Sequence, residues 1–521
     1  MRKVHSYKIK LLVLFLIISL FIGLKMPQQI ALGAQKVYNK WMILTMILDK
    51  IERHYMDDTD ADELLINAIN GMLAGLDPYS VYLTPDEYRN RQSKHLGFIG
   101  LGLKVKYLND NYVIVSVMDN SPAFLAGLYV SDSILEIDGK TIKNLKIDQV
   151  QALLQGPENT KVNILISRTG LQEPQSFTLN RKYITIKSIP CSFMIDETTG
   201  YIKLTHFGES TPRELDEAFK LLQRKAMNKL LLDLRGNSGG AFKSGVDVAD
   251  RFISGGKLLV FTRGKNKQAT EKYIATPGHT LPAIPLIVLV NGGTASVAEI
   301  VAGAIQDWDR GLLLGNTTYG KALVQTEFPF QDGSALLLTT AKYYTPLGRM
   351  IQRDFHNDVK KTGKGTSRAA PKTGKWSEFK TAKGRIVYEG NGLRPDIFLK
   401  ENKNILSQVV YKLYAKNLFF CFAENYVQEH PGLNEDADSY FADFMISESI
   451  LNEFLAFVKN SGFMISANDV KKNKPQLKRA IKQEIAFIIW GIEGAIHVAA
   501  QADPQIKESI NYFDKAKSLL R

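Results

Sequence analysis

The sequence predicts a multidomain α/β protein, with a parallel-sheet-rich core, a β-rich module inserted ahead of it and helical segments on both flanks. Three observations predict it. The chain has 521 residues, more than one ordinary core holds, and its 45% hydrophobic and 23% charged residues are globular proportions. Two short, continuous apolar runs, KLLLDL at 229–234 and IPLIVLV at 284–290, are each followed by glycines and a helical stretch, the pattern of parallel strands buried on both faces. Between 95 and 185 the pattern becomes short alternating strands such as YVIVSV and KVNILIS, with glycine turns and a single short helix around DQVQALL.

The elements follow in order. Arg2, Lys3, Lys8 and Lys10 precede an uncharged apolar run, Leu11 to Leu24, which is short for a membrane span of about 20 residues. That layout predicts an exported protein, with residues 1–34 a signal peptide cut after Gly33 or Ala34, or an uncleaved inner-membrane anchor facing the periplasm. Residues 35–94 form an N-terminal helical region, in which Leu64, Leu65, Ala68, Ile69, Met72 and Leu73 repeat at helical spacing. The β-rich module covers 95–185 and the α/β core 186–400, the latter carrying a basic flexible loop at 357–380. Residues 401–521 are helical, with Ile450, Leu451, Phe454, Leu455 and Val458 on one face; IAFIIWGI at 485–492 is too short to span a bilayer and reads as a core helix.

The net charge of +13 is spread along the chain, apart from the dense stretch Lys360 to Arg385, so a solvated basic loop is expected and no nucleic acid partner. The two cysteines, Cys191 and Cys421, exclude a disulfide framework, and with neither CxxC nor HExxH present no metal or cofactor is expected.

Two serines compete for a catalytic role. In VNGGTASVAE, Ser296 opens a helix at 296–308 whose face Val297, Ile300, Val301, Ala304, Ile305 and Trp308 should pack on the sheet. Glu299 three positions on makes a capping box, so Ser296 reads either as a cap or as a nucleophile at the carboxyl end of a strand, where open α/β sheets bind ligands. Ser238 lies in GNSGG, which matches the G-x-S-x-G nucleophile elbow. That elbow needs a later acid and histidine, and His279, His356, His430 and His497 are poorly placed for it. Lysine is the alternative base, usable when burial depresses its pKa. Lys321 in TTYGKALVQTEF is the candidate, with Gln325 on the same face if this is a strand; the competing reading is a surface lysine in a glycine turn.

GTASVAEIVAGAIQD, LLGNTTYGKALVQ and DGSALLLTTAKYYTPLGRMIQ, in this order, closely resemble the carboxyl-terminal processing peptidases, or tail-specific proteases, of the S41 serine peptidase family. The resemblance runs from about Lys36 to GNGLRPDI at 390–397 and implies a crotonase/ClpP-like core with Ser296, Lys321 and Gln325 as catalytic residues. It makes DLRGNSGG an oxyanion segment in which Ser238 is not catalytic, with amides near Gly239 and at Val297 holding the oxyanion. Residues 97–183 resemble a PDZ domain, whose carboxylate loop falls on Gly100, Leu101, Gly102 and Leu103 in GFIGLGL. The implied activity is an endopeptidase that recognises accessible protein C-termini and cleaves through an acyl-enzyme; a tail-binding adaptor with an inactive core and a Ser238 hydrolase are the alternatives, and an oligomer stays open. Three positions depart from the family pattern: Ala298 replaces a frequent second serine, Ala322 follows Lys321 where glycine is usual, and Ser131 stands where a turn glycine is common.

Overall fold

The computed structural model describes residues 28–108, 110–118, 120–168, 171–353, 377–400 and 406–520. The apolar run 11–24 and most of the basic loop at 357–380 lie outside these residues. Two compact units divide the chain, Met1–Thr84 with Glu327–Leu338, and Pro85–Thr326 with Thr339–Arg521. In the first, helices Gln28–His54 and Ala61–Ala74 lead to strand Val81–Leu83, which pairs antiparallel with 335–337. Asp60 caps the second helix by accepting from Asp62 and Glu63 amides.

The second unit opens with helix Pro85–Leu96 and continues into a β-rich module, as the alternating strands predict. Strands β1 (Leu103–Leu108), β2 (Asn111–Val117), β3 (Ser133–Ile137), β4 (Lys161–Ser167) and β5 (Gln175–Asn180) form one antiparallel sheet in the order β1-β2-β3-β4-β5. Helix α1 (Ile147–Leu154) closes its core with Val150 and Leu154. The module has two helices rather than one, because Ser121 and Pro122 start a further turn, Pro122–Ala126, which ends at left-handed Gly127.

The core is a six-stranded sheet: β6 (Cys191–Met194), β7 (Thr199–Lys203), β8 (Lys229–Asp233), β10 (Leu286–Val290), β11 (Leu312–Gly315) and β14 (Ile397–Phe398) lie side by side. Between them in the chain come helices α2 (Thr211–Arg224), α3 (Phe242–Phe252) and α4 (Val297–Asp307), and strands β9 (Leu258–Gly264), β12 (Leu323–Pro329) and β13 (Ala335–Tyr344). Only β6 runs antiparallel; the rest pair in parallel, with Leu232 opposite Val288 and Leu289 opposite Leu314. Both apolar runs are continuous because both sheet faces are covered. Leu230, Leu232, Leu286 and Val288 face the core that holds α2, α3 and α4, while Leu231, Ile287, Leu289 and Leu314 face Ala500, Ile506, Phe513 and Ala516 near the C-terminus.

Helix α4 departs from the expected one-sided burial: every residue from Val297 to Asp307 is buried. Alanines and Gly303 let neighbours approach on the side where a polar face was not needed, Gly303 lying against Thr345 and Leu393.

The C-terminal helices α5 (Gln408–Ala415), α6 (Leu418–Glu429), α7 (Ala437–Asp443), α8 (Glu448–Asn460) and α9 (Ala467–Gln501) share an aromatic core. In it Phe454 stacks on Phe419 at 4.9 Å and meets Phe422 edge-on at 5.3 Å. Residues 485–492 belong to α9, which kinks at Trp490 and Gly491. Among the described residues no single helix is long and apolar enough to cross a membrane. Both cysteines are free thiols, so no disulfide braces these parts.

Phe454 is fully buried among these rings. Phe454→Ala should destabilise the C-terminal helices by about 3–5 kcal/mol, read as a lower urea midpoint by tryptophan fluorescence, Trp490 lying in the same cluster.

Candidate active site

The site forms where the parallel strands β8 and β10 end. The loop after β8 and the loop after β10 are laced together: Asn291 Oδ1 accepts from Gly236 N–H at 2.9 Å and Gly293 N–H at 3.0 Å, Thr294 Oγ1 donates to the Leu234 carbonyl at 2.9 Å, and Ala295 N–H donates to the Asn237 carbonyl at 2.9 Å. Asp233 anchors the first loop. It is buried, takes both a bidentate bond from Arg235 and the Tyr201 hydroxyl at 2.8 Å, and the Lys203 and Arg235 charges hold its carboxyl far below the usual range despite burial.

Ser296 stands at the N-cap of α4 with φ 57° and ψ −120°, a strained conformation for a residue with a Cβ, worth about 1–3 kcal/mol. The buried Glu299 side chain supplies one restraint, accepting the Ser296 N–H at 2.8 Å. The arrangement is the expected capping box, and Glu299 N–H also donates to the Ser296 carbonyl at 2.8 Å. The serine is half-buried.

Glu299 reaches further than a cap would. Its carboxylate also accepts from Thr318 Oγ1 at 2.5 Å, Gly320 N–H at 2.8 Å and Lys321 N–H at 2.9 Å. Burial raises the carboxyl, the four donors partly offset it, and the balance stands at about 7 against the ordinary 4.5. The Tyr343 hydroxyl lies 3.0 Å from the Ser296 carbonyl oxygen and 2.7 Å from that of Lys321. Ser296 and Lys321, 25 positions apart in the chain, are therefore joined through the main chain at two shared groups.

Lys321 is half-buried and lies two residues before β12, while Gln325 is on that strand, where its amide nitrogen donates to Thr339 Oγ1 at 3.2 Å. Ala322 is buried, donates to Gln352 Oε1 at 2.8 Å and has no positive φ, so alanine fits where the family pattern has glycine; the left-handed position is Gly320 at φ +84°.

Gly239 touches the serine turn. A Cβ there would stand 2.9 Å from Ser296 Cβ and 3.2 Å from Val297 N, and φ is +101°. Its amide donates to Asn237 Oδ1 at 2.9 Å, so in this state it is engaged within its own loop rather than turned to a substrate. The Val297 amide, one of the orphan donors of a helix N-terminus, has no protein acceptor among the described residues. Ser238 is exposed on the same loop, and no histidine hydrogen-bonds to it among the described residues.

In the β-rich module, Gly100 ends a short strand, Phe98–Gly100; Leu101 is buried, Gly102 has φ +76°, and Leu103 starts β1. A Cβ on Gly102 would lie 2.2 Å from that of Ser121, which only glycine avoids. Strand β1 is an edge of its sheet, and α1 packs beside it. Ser131 adopts φ 79° in the turn where the family pattern has glycine, held by its N–H to the Ile114 carbonyl at 2.7 Å.

Sequence reasoning missed Asn237, Asn291, Thr318 and Tyr343. The asparagines sit in glycine turns, where side-chain bonds to the backbone are common and a hint existed; no local signal distinguishes Tyr343 from any strand aromatic.

Comparison with known proteins matches residues 198–361 to peptidase family S41, 113–168 to the PDZ domain, and 409–491 to a family of unknown function. A carboxy-terminal-processing protease of Bartonella bacilliformis is 35% identical over 349 residues, covering 65% of this chain and 80% of that protein. A carboxyl-terminal-processing protease of Synechocystis is 36% identical over 57% of this chain and 68% of its own length, and the Bacillus subtilis protease CtpA 33% identical over 60% and 67%. Among solved structures, a photosystem II D1 C-terminal processing protease is 29% identical, with 59% of this chain and 89% of that one covered at a TM-score of 0.33.

Two outcomes follow from the geometry. Gly239→Ala should leave the fold intact and lower turnover about a hundredfold, because the new methyl displaces Ser296; circular dichroism and a cleavage assay check both. The folded Glu299 carboxyl keeps its proton up to about 7, against 4.5 for the ordinary group. Its contribution to stability is therefore complete below the lower value and lost as pH rises through the higher one. The urea midpoint of the wild type, measured relative to Glu299→Gln, should fall between about pH 5 and about pH 8.

Proposed function

The chain belongs to peptidase family S41, among the carboxy-terminal-processing proteases, and on that premise we propose that Ser296 is its nucleophile and Lys321 the general base. It is a serine-type peptidase with a PDZ domain. The observation that carries the residue assignment is the Glu299 carboxylate, which accepts from the amides of Ser296 and Lys321 together and so fixes the two chain segments against each other.

In this reading the Lys321 amine takes the Ser296 proton as Oγ attacks the scissile carbonyl. The developing oxyanion meets the Val297 N–H, at the positive end of α4, and the Gly239 N–H once it leaves Asn237 Oδ1. The lysine ammonium then protonates the departing amine, and an acyl ester remains on Ser296. Water, deprotonated by the same amine, releases the product. Gln325, tethered to Thr339 through its amide nitrogen, would present its oxygen to the ammonium and orient it without adding a charge.

The substrates are proteins with accessible C-terminal tails. An added peptide strand would extend the sheet at the open edge of β1, beside α1, with its carboxylate on the amides of Gly100, Leu101, Gly102 and Leu103. The cationic, then apolar, N-terminal segment supports export, with the peptidase outside the cytoplasmic membrane, either released or held by residues 11–24.

Ser296→Ala and Lys321→Ala should each lower cleavage of an unfolded protein with an apolar tail by at least about a thousandfold, while Ser238→Ala stays near the wild-type rate. Retained cleavage by Ser296→Ala would sink the assignment. Fluorescence anisotropy should show a tail peptide binding to Ser296→Ala with its free carboxylate and much more weakly when amidated.

A further inference from the structure

Tyr343 lies one residue before the end of β13, 2% exposed and packed in the core that also holds α4. Its N–H donates to the Ala322 carbonyl at 2.9 Å, pinning the segment next to Lys321. Its hydroxyl reaches the carbonyl oxygens of both Ser296 and Lys321, at 3.0 Å and 2.7 Å. A phenol has one proton, so the two carbonyls share it, with the shorter contact to Lys321. The Ser296 carbonyl already accepts from Glu299 N–H at 2.8 Å and Ile300 N–H at 3.2 Å, so the hydroxyl adds little to helix α4 itself. Its effect falls on Lys321, whose root it fastens to the start of that helix.

We propose that Tyr343 is a positioning residue for the reaction, holding the main chain of Lys321 at a fixed separation from Ser296. It complements Glu299: one acceptor gathers the N–H groups of the two residues, and one donor gathers their carbonyls. Both ties are needed because a lysine side chain has four rotatable bonds, and its amine can be aimed only if the main chain from which it springs does not drift. Misplacement of a reacting group by about 1 Å costs about a hundredfold in rate. The inference rests on the reading of Ser296 and Lys321 as nucleophile and base.

Tyr343→Phe keeps the ring and removes the hydroxyl. In the full-length protein it should lower kcat by about ten- to a hundredfold with KM changed less than about twofold, and move the acid limb of the kcat/KM profile to higher pH as the amine becomes more solvated. Rates are taken per folded molecule from circular dichroism. Tyr343→Leu, which also removes the ring, should melt at lower temperature and show the same or a greater kcat loss per folded molecule. A Phe variant with kcat and pH profile like the wild type, or one whose whole defect is a smaller folded fraction, overturns the proposal. Ser296→Ala is assayed alongside: if it still cleaves, the nucleophile assignment fails, whereas an inactive Ser296→Ala beside a fully active Tyr343→Phe sinks only the role of Tyr343.

Discussion

The buried carboxylate of Glu299 is where the site is held together. It lies at 0% exposure and accepts four hydrogen bonds, from Ser296, Thr318, Gly320 and Lys321. An ionised carboxylate in such a place is tolerated only when its acceptor capacity is filled, and these donors fill it. The same bonds do two jobs: they hold Ser296 in its strained turn and bring the lysine segment to the helix start. Removing the carboxylate would leave buried amides without acceptors, which costs more than the bonds themselves contribute.

Further bonds fix the far end of α4. At its C-terminal end Asp307 pairs with fully buried Arg349, which also donates to Gln306 Oε1 and the Tyr388 carbonyl, while Leu347 N–H donates to Asp307. Arg349 Nε has no hydrogen-bond partner among the described residues, yet the bonds its other nitrogens make tie the turn after β13 to the helix. That turn sets where β13 ends, and so where Tyr343 places its hydroxyl.

The C-terminal residues contribute from the other sheet face. Arg235, in the loop that carries Gly239, is paired with Asp503 at 2.7 Å and donates to Gln505 at 2.8 Å. His497 stacks between Phe193 of β6 and Phe441 of α7, and burial lowers its pKa to about 4, so it is a neutral aromatic spacer near pH 7. The helical segment also meets the PDZ domain, where Phe420 packs with Leu108, Val113 and Val115 and Lys106 donates to Asn417. The region matched to a family of unknown function thus packs on the PDZ domain, while residues that follow it brace the loop beside Ser296.

Much of the fold was legible in the chain, because continuous apolar runs and alternation report directly on burial: KLLLDL and IPLIVLV are adjacent parallel strands, and YVIVSV and KVNILIS belong to one antiparallel sheet. Helix α4 misled, since its alanines and glycine gave it the look of a one-sided helix while allowing close packing all round. At the site, Ser296, Lys321 and Gln325 were named as candidates through a family resemblance, Gly239 as part of a glycine turn, and the bond between Ser296 and Glu299 as a capping box. What joins the segments was not legible, because the other three partners of Glu299 and both carbonyls that Tyr343 reaches lie about twenty or more positions away, and no periodicity encodes which amide a buried carboxylate will find. The sequence by itself determined which elements form and which side chains are candidates for the chemistry; only the tertiary structure decided that one carboxylate and one phenol would hold Ser296 and Lys321 together, since that depends on where three separate segments meet in space.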